Sequence, residues 1–254
     1  LAAKGAEPFA YLLTLALGPG ASTPWVRGFA DGLRMDNALY GVDLLGGDTL
    51  RASPGGGTTV AITAFGRVPE GKVVRRRTAR PGEVIAVTGV VGDAALGLRC
   101  RLEDDPFSLS ADHREALLAR YLLPEPPVAA WPAVRAHASA AMDVSDGLLG
   151  DLLKLASAAG VAAIIDIERV PHSPAVRAAL ASGPRARDLA LTGGDDYQVL
   201  ATMPAHAFTA FRDDCARDGA AATVIGEIKA GAPAVTVRDR GTTITVDDSR
   251  FQHF

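Results

Sequence analysis

The sequence predicts an α+β protein with helices layered on sheets, and three observations lead there. Period-two, β-branched runs mix with helical runs, without the strict strand–helix alternation of a doubly wound parallel sheet. A basic segment, residues 74–82, closes on Pro81-Gly82 before a new pattern begins, which divides the 254 residues into domains 1–82 and 83–254. With 48% hydrophobic and 22% charged residues, the chain has the balance of a globular protein large enough for two such domains.

In order along the chain, residues 1–4 read as the end of a helix, broken at residues 5–8 and followed by an apolar strand-like run to residue 17. Residues 24–39 read as a helix, with Pro24 suited to a first turn. Residues 42–45 form a short strand running into Gly46-Gly47-Asp48-Thr49, residues 51–57 a glycine-rich turn, and residues 58–65 an alternating strand. Residues 84–88 are a β-branched strand, after which Asp93 can cap a helix to residue 101. Residues 110–122 are helical and stop ahead of Pro124.

Residues 138–144 form a strand, and Ser145 or Asp146 caps a helix whose apolar face carries Leu148, Leu149, Leu152 and Leu153. Gly160 ends that helix, residues 162–167 form a strand, and Ser173-Pro174 starts another helix. Residues 190–192 lead into Gly193-Gly194-Asp195-Asp196, followed by a strand at 197–202. A helix at 206–218 closes at Gly219, a strand occupies 223–228, and residues 235–246 form a hairpin turning at 239–241.

Several function classes fall away. A net charge of −3 argues against a protein that binds nucleic acid by neutralising phosphates. Cys100 and Cys215 lie in no metal-binding spacing and read as buried free thiols of a reducing cytosol, so the expected location is cytoplasmic. No apolar run approaches the roughly 20 residues that span a bilayer. The five histidines show no metal-ligand spacing, and there is neither a P-loop nor a nucleophile elbow.

Three segments repeat one theme, a carboxylate beside small or hydroxyl residues at the end of a strand: Gly46-Gly47-Asp48-Thr49, Asp143-Val144-Ser145-Asp146-Gly147 and Gly193-Gly194-Asp195-Asp196-Tyr197. Glycine there lets backbone N–H groups approach an anion, and an adjacent carboxylate is a hard oxygen ligand suited to Mg²⁺. Each alone also reads as an ordinary turn or helix cap; together they point to a metal–polyphosphate site. Among Arg75, Arg76, Arg77 and Arg80, one guanidinium can contact such a phosphate, although a solvated basic linker has the same composition.

These segments stand in order with Leu1 to Pro8, Ala79 to Gly82, Val87-Thr88-Gly89, Met142 to Leu148, Leu191 to Tyr197, Val224 to Glu227 and the terminal His253-Phe254. The pattern resembles the thiamine-monophosphate kinases of the aminoimidazole ribonucleotide synthetase-like superfamily. The resemblance implies a two-domain fold of that type with an incomplete N-terminal domain, dimerisation through its sheet, and ATP with Mg²⁺ in the cleft between domains. It implies that Asp48, Asp143 and Asp146 bind magnesium, and that Gly47, Asp48, Arg76 and Ser145 contact ATP. Asp195, a glutamate in many relatives, and Phe251 are implied to lie near thiamine monophosphate, in a homodimer without nucleic-acid or membrane partners.

Three parts of the family pattern lie outside this stretch: an earlier Gly-Asp-Asp motif, a segment ending in His-Phe, and an aspartate just before Leu1. The chain therefore reads as missing its start and as lacking part of the metal cluster. The expected activity is direct in-line transfer from ATP to thiamine monophosphate. The alternatives are another ATP-dependent synthetase of the superfamily and a non-catalytic nucleotide- or metal-binding module.

Overall fold

The computed structural model describes residues 1–246. Phe251 and the His253-Phe254 ending lie outside them. After a short 3-10 turn (Ala2–Lys4), strand β1 (Glu7–Leu17), helix α1 (Thr23–Tyr40), β2 (Asp43–Arg51) and β3 (Thr59–Arg67) build a three-stranded sheet in the order β2-β1-β3. Strands β1 and β2 run parallel across α1, and β3 returns antiparallel. Ser22 caps α1 by accepting from Trp25 N, and Pro24 sits in its first turn.

A second sheet has seven strands in the order β10-β9-β6-β8-β4-β7-β5. These are β4 (Val84–Thr88), β5 (Ala140–Val144), β6 (Ala162–Asp166), β7 (Gln198–Met203), β8 (Ala222–Lys229), β9 (Ala234–Asp239) and β10 (Thr242–Ile244). The helices are α2 (Asp93–Leu102), α3 (Ala111–Leu122), α4 (Trp131–His137), α5 (Leu148–Ala159), α6 (Pro174–Leu180), α7 (Pro184–Thr192) and α8 (Phe208–Arg217). All neighbouring strands are antiparallel except β6 and β9.

Strand alternation sorts the core. Ile85, Val87, Met142, Val144 and Leu200 point to the side covered by Leu148, Leu152 and Leu155 of α5. Ala86, Ala141, Val199, Ala201 and Met203 point to the opposite side, against Val134 of α4 and Phe211 of α8. A third cluster joins α2, α3, α6 and α7 through Leu96, Leu117, Val176 and Ala190. Leu152 is fully buried, and truncating such a leucine to alanine costs about 2–5 kcal/mol.

Several sequence expectations need correction. Gly46-Gly47-Asp48-Thr49 is not at a strand end: it lies within β2, paired with Leu12 to Leu15 past a bulge. A Cβ at Gly47 would sit 1.7 Å from the Leu13 carbonyl oxygen, so close strand approach is sufficient reason for that glycine. The helical reading of residues 1–4 becomes a single 3-10 turn. Residues 131–137 and 184–192 form helices that the turn-rich local sequence hid.

Neither Ser145 nor Asp146 caps α5, whose N-cap is Gly147 without a side-chain bond, and Asp93 is the first residue of α2 rather than its cap. At α2 a carboxylate from elsewhere, Asp196, accepts from Gly92 N and Ala94 N, whereas at α5 the helix's own Asp151 accepts from Ser145 N and Asp146 N in the loop before it.

Candidate functional site

The candidate site is built where two loops press together at one end of the seven-stranded sheet. The loop after β5 carries Ser145, Asp146 and Gly147; the loop before β7 carries Gly193 to Tyr197. Asp195 N donates to Ser145 O (2.9 Å), and Tyr197 N donates to Val144 O (2.8 Å). A Cβ at Gly194 would fall 2.1 Å from Ser145 O, so only glycine allows this approach. Asp195 and Tyr197 hold left-handed backbone conformations, φ 69° and 51°, which strain non-glycine residues and occur where a site fixes them.

This pairing puts three of the predicted carboxylates within electrostatic reach of one phenol. Tyr197 Oη donates to Asp195 Oδ1 (2.9 Å). Burial, that bond and the charges of Asp195, Asp143 and Asp146 push the phenol up to about 12. Tyr197 therefore stays protonated and acts as a hydrogen-bond donor.

The Ser145–Asp146 loop is held by a residue that the apolar reading of α5 passed over. Asp151 is fully buried, and its Oδ2 accepts from both Ser145 N and Asp146 N at 2.9 Å. Its Oδ1 accepts from Lys154 Nζ (2.8 Å), which also bonds the Asp146 carboxylate. Burial pulls the Lys154 pKa down, but its two carboxylate partners outweigh this and hold it above the ordinary lysine value. The available sequence signal was an acidic residue in the first turn of an otherwise apolar helix. The Ser145 hydroxyl makes no hydrogen bond among the described residues.

Cations approach from the N-terminal side. Lys4 Nζ donates to Ala141 O (3.0 Å), next to Asp143 on β5. Burial lowers the Lys4 pKa, the Asp143 charge opposes that shift, and Arg76 adds to it, which puts Lys4, Arg76 and Asp143 within electrostatic reach of one another. Asp48 stands apart. Tyr11 bonds Asn37 of α1 (2.9 Å) and marks the helix-covered face of the small sheet; Asp48, in register with Thr14, lies on the other face. No hydrogen bond or ion pair joins Asp48 to Asp143 or Asp146 among the described residues.

Beside the acidic loops, a cavity of about 1010 Å³ opens between the two sheets. Glu7, Pro8 and Tyr40 line it from one side, and Asp93, Asp195 and Asp196 from the other. Asp196 supplies the cap that α2 lacks, accepting from Gly92 N (2.8 Å) and Ala94 N (3.3 Å). Burial drives its pKa up to about 7, against those two N–H bonds and with help from the charges of Asp93 and Asp195. Asp93 accepts from Ser173 Oγ (2.5 Å) through Oδ1, while its buried Oδ2 has no partner among the described residues.

The described residues contain no group of three His, Cys, Asp or Glu placed to hold a metal ion. What they offer is narrower: exposed Asp143 and partly exposed Asp146, two hard carboxylates three residues apart at the end of β5, the second paired with Lys154, with Lys4 and Arg76 within electrostatic reach of Asp143. Mg²⁺ characteristically takes one or two protein carboxylates and completes its shell with water and substrate phosphates, so this donor set fits it.

The two sheets fall in the two domains of the AIR synthase related proteins. The C-terminal domain of that family matches residues 80–238 and its N-terminal domain matches residues 1–68. The thiamine-monophosphate kinase of Caulobacter vibrioides is 39% identical over 248 residues, covering 96% of this chain and 68% of that protein. The crystal structure of the Stenotrophomonas maltophilia K279a thiamine-monophosphate kinase superposes with a TM-score of 0.84 at 37% identity, over 96% of this chain and 75% of that one. AaThiL complexed with AMPPCP and TMP superposes with a TM-score of 0.83 at 26% identity, over 100% and 76% of the two chains. The chain belongs to the thiamine-monophosphate kinase family.

Proposed function

We propose that this chain catalyses ATP-dependent phosphorylation of thiamine monophosphate to thiamine diphosphate, in the biosynthesis of that cofactor. The observation that carries the reading is the loop pair itself: Asp195 N and Tyr197 N bond Ser145 O and Val144 O, which sets Asp195 and Tyr197 against the Asp143–Asp146 segment, and Lys4 is bonded to Ala141 O on the same strand. Transfer between two phosphates needs anionic groups brought together and held in line, so positioning and electrostatics carry the chemistry. Relatives named for this reaction, and one complexed with AMPPCP and TMP, support the same assignment.

In this reading Asp143 and Asp146 hold Mg²⁺, with Asp48 as a further ligand from the other sheet. Magnesium, when bound, neutralises charge on the transferring phosphate oxygens. Arg76 and Lys4 bind phosphate oxygens, and the free Ser145 hydroxyl and Gly47 lie beside ATP. Asp195, oriented by Tyr197, faces the acceptor at the cavity rim, and Phe251 flanks the thiamine rings. No helix among the described residues is long and apolar enough to cross a membrane, and the reading places the enzyme in the cytoplasm.

A homodimer is part of the proposal. On the face away from α1 the small sheet leaves Leu12 and Leu50 more than 40% exposed, an apolar surface that marks a partner face.

Incubation with ATP, Mg²⁺ and thiamine monophosphate tests the function, read as thiamine diphosphate by chromatography. Asp146→Asn should abolish turnover while the thermal unfolding curve stays in place. ATP binding without turnover in the unaltered chain would make it a binding module; turnover only with a different acceptor would make it a synthetase.

A further inference from the structure

The cavity of about 1010 Å³ between the sheets carries a charge imbalance that binding of phosphate does not explain. Six carboxylates line it, from Glu7, Asp93, Glu125, Asp195, Asp196 and Asp218, and among the described residues the one cation on its wall is Arg120. Arg120 pairs with Glu125, which cancels one of those charges. Asp196 is offset by the Gly92 and Ala94 N–H groups at the start of α2, and Asp195 accepts from Tyr197 Oη. Glu7, Asp93 and Asp218 have no ion pair among the described residues.

Asp93 is the informative member. It is only 4% exposed, and its Oδ2 is buried without a hydrogen-bond partner among the described residues. Burial holds its pKa above the ordinary aspartate value, against the opposing bond from Ser173. A buried carboxylate without a counter-charge is stabilised by a cation brought into the adjoining space, where the field is weakly screened. The same lining repels phosphate. Tyr40, Pro126 and Val128 add apolar wall on which a flat ring can rest.

We propose that this cavity takes the cationic heterocycle of the acceptor, the thiazolium end of thiamine monophosphate, and that Asp93 sets the preference for positive charge. The inference rests on the kinase reading and deepens it. Asp195 belongs to both places: it lines the cavity, and its N–H bonds Ser145 O in the loop pair. An acceptor with its ring end in the cavity therefore turns its phosphate past Asp195 toward the loop of Asp146. Asp93 acts through its charge from within the wall, held by Ser173 Oγ, so it determines specificity and takes no part in the transfer itself.

The test is calorimetric titration of the full chain, without ATP, with two probes: thiamine, and its analogue in which a neutral thiophene replaces the thiazolium. Thiamine should bind about tenfold more tightly than the neutral ring, and added salt should narrow the difference. Asp93→Asn, which keeps an acceptor for Ser173, should weaken thiamine about tenfold and leave the analogue unchanged. Glu7→Gln, at an exposed position, should weaken thiamine about threefold and serves if Asp93→Asn fails to fold. Equal affinity for the two probes, equal weakening of both by Asp93→Asn, or no saturable thiamine binding in the millimolar range would each overturn the proposal. The kinase reading fails separately: charge-selective binding in a chain that makes no thiamine diphosphate sustains the cavity's preference and removes the reaction, whereas turnover with equal affinities removes only the preference.

Discussion

Replacing Asp151 by asparagine keeps the volume of a fully buried side chain and removes only its charge. The carboxylate accepts two backbone N–H bonds at 2.9 Å on Oδ2 and the Lys154 ammonium at 2.8 Å on Oδ1. Hydrogen bonds to a charged acceptor contribute roughly 1.5–3 kcal/mol and neutral ones roughly 0.5–1.5, so the two N–H bonds lose about 2 kcal/mol together. The amide nitrogen then faces the ammonium, donor against donor. Lys154 is 44% exposed and keeps Asp146, which limits this further loss to about 1 kcal/mol. Asp151→Asn should therefore destabilise the protein by about 2–3 kcal/mol, measured by urea denaturation with tryptophan fluorescence.

Asp151→Ala should cost more, because it leaves two backbone donors in a buried site without a partner. Turnover should fall with stability, since those donors belong to Ser145 and Asp146. A midpoint and a kcat both unchanged in Asp151→Asn would refute the view that this carboxylate fixes the loop.

Three other outcomes follow from the geometry. Burial raises the Asp196 carboxyl to about 7, whereas the unfolded chain ionises it near 4, so the folded state holds a proton that the unfolded state gives up between those values. Stability from this group is thus full at low pH and declines as pH rises from about 4 to about 7, by up to about 1.4 kcal/mol per pH unit, and Asp196→Asn should flatten that slope in denaturation curves taken across the window. Gly194→Ala places a methyl 2.1 Å from Ser145 O and should lower both the melting temperature and turnover, while Gly57→Ala, with open space around it, should leave turnover alone. Light scattering should give twice the chain mass, and Leu12→Asp with Leu50→Asp should halve it; a monomer in the unaltered chain would remove the sheet as a partner face.

The pattern of strands and helices was largely legible because it depends on local chemistry. Pro24, Ser110, Gly160 and Ser173 mark helix ends through caps and backbone preferences that act over three or four residues, and each helix begins or ends where these residues stand. The carboxylate-bearing loops could be named for the same reason. Gly46-Gly47 misled because its local preference for a turn yielded to parallel pairing with β1, an interaction with residues more than thirty positions away.

By itself the sequence determined most of the strands and helices, the α+β class, and which carboxylates are candidates for the chemistry, but not the helices at 131–137 and 184–192. Only the tertiary structure decided which of them meet. It joined Ser145 O to Asp195 N, brought Asp143 and Asp146 within electrostatic reach of Tyr197, and sent Asp196 to cap a helix 104 residues earlier. It also left Asp48 on a separate sheet. The physical reason is that caps and periodicity are satisfied within a turn of chain, whereas a buried carboxylate takes whatever donor the packed sheet presents, and that donor has no fixed distance in sequence.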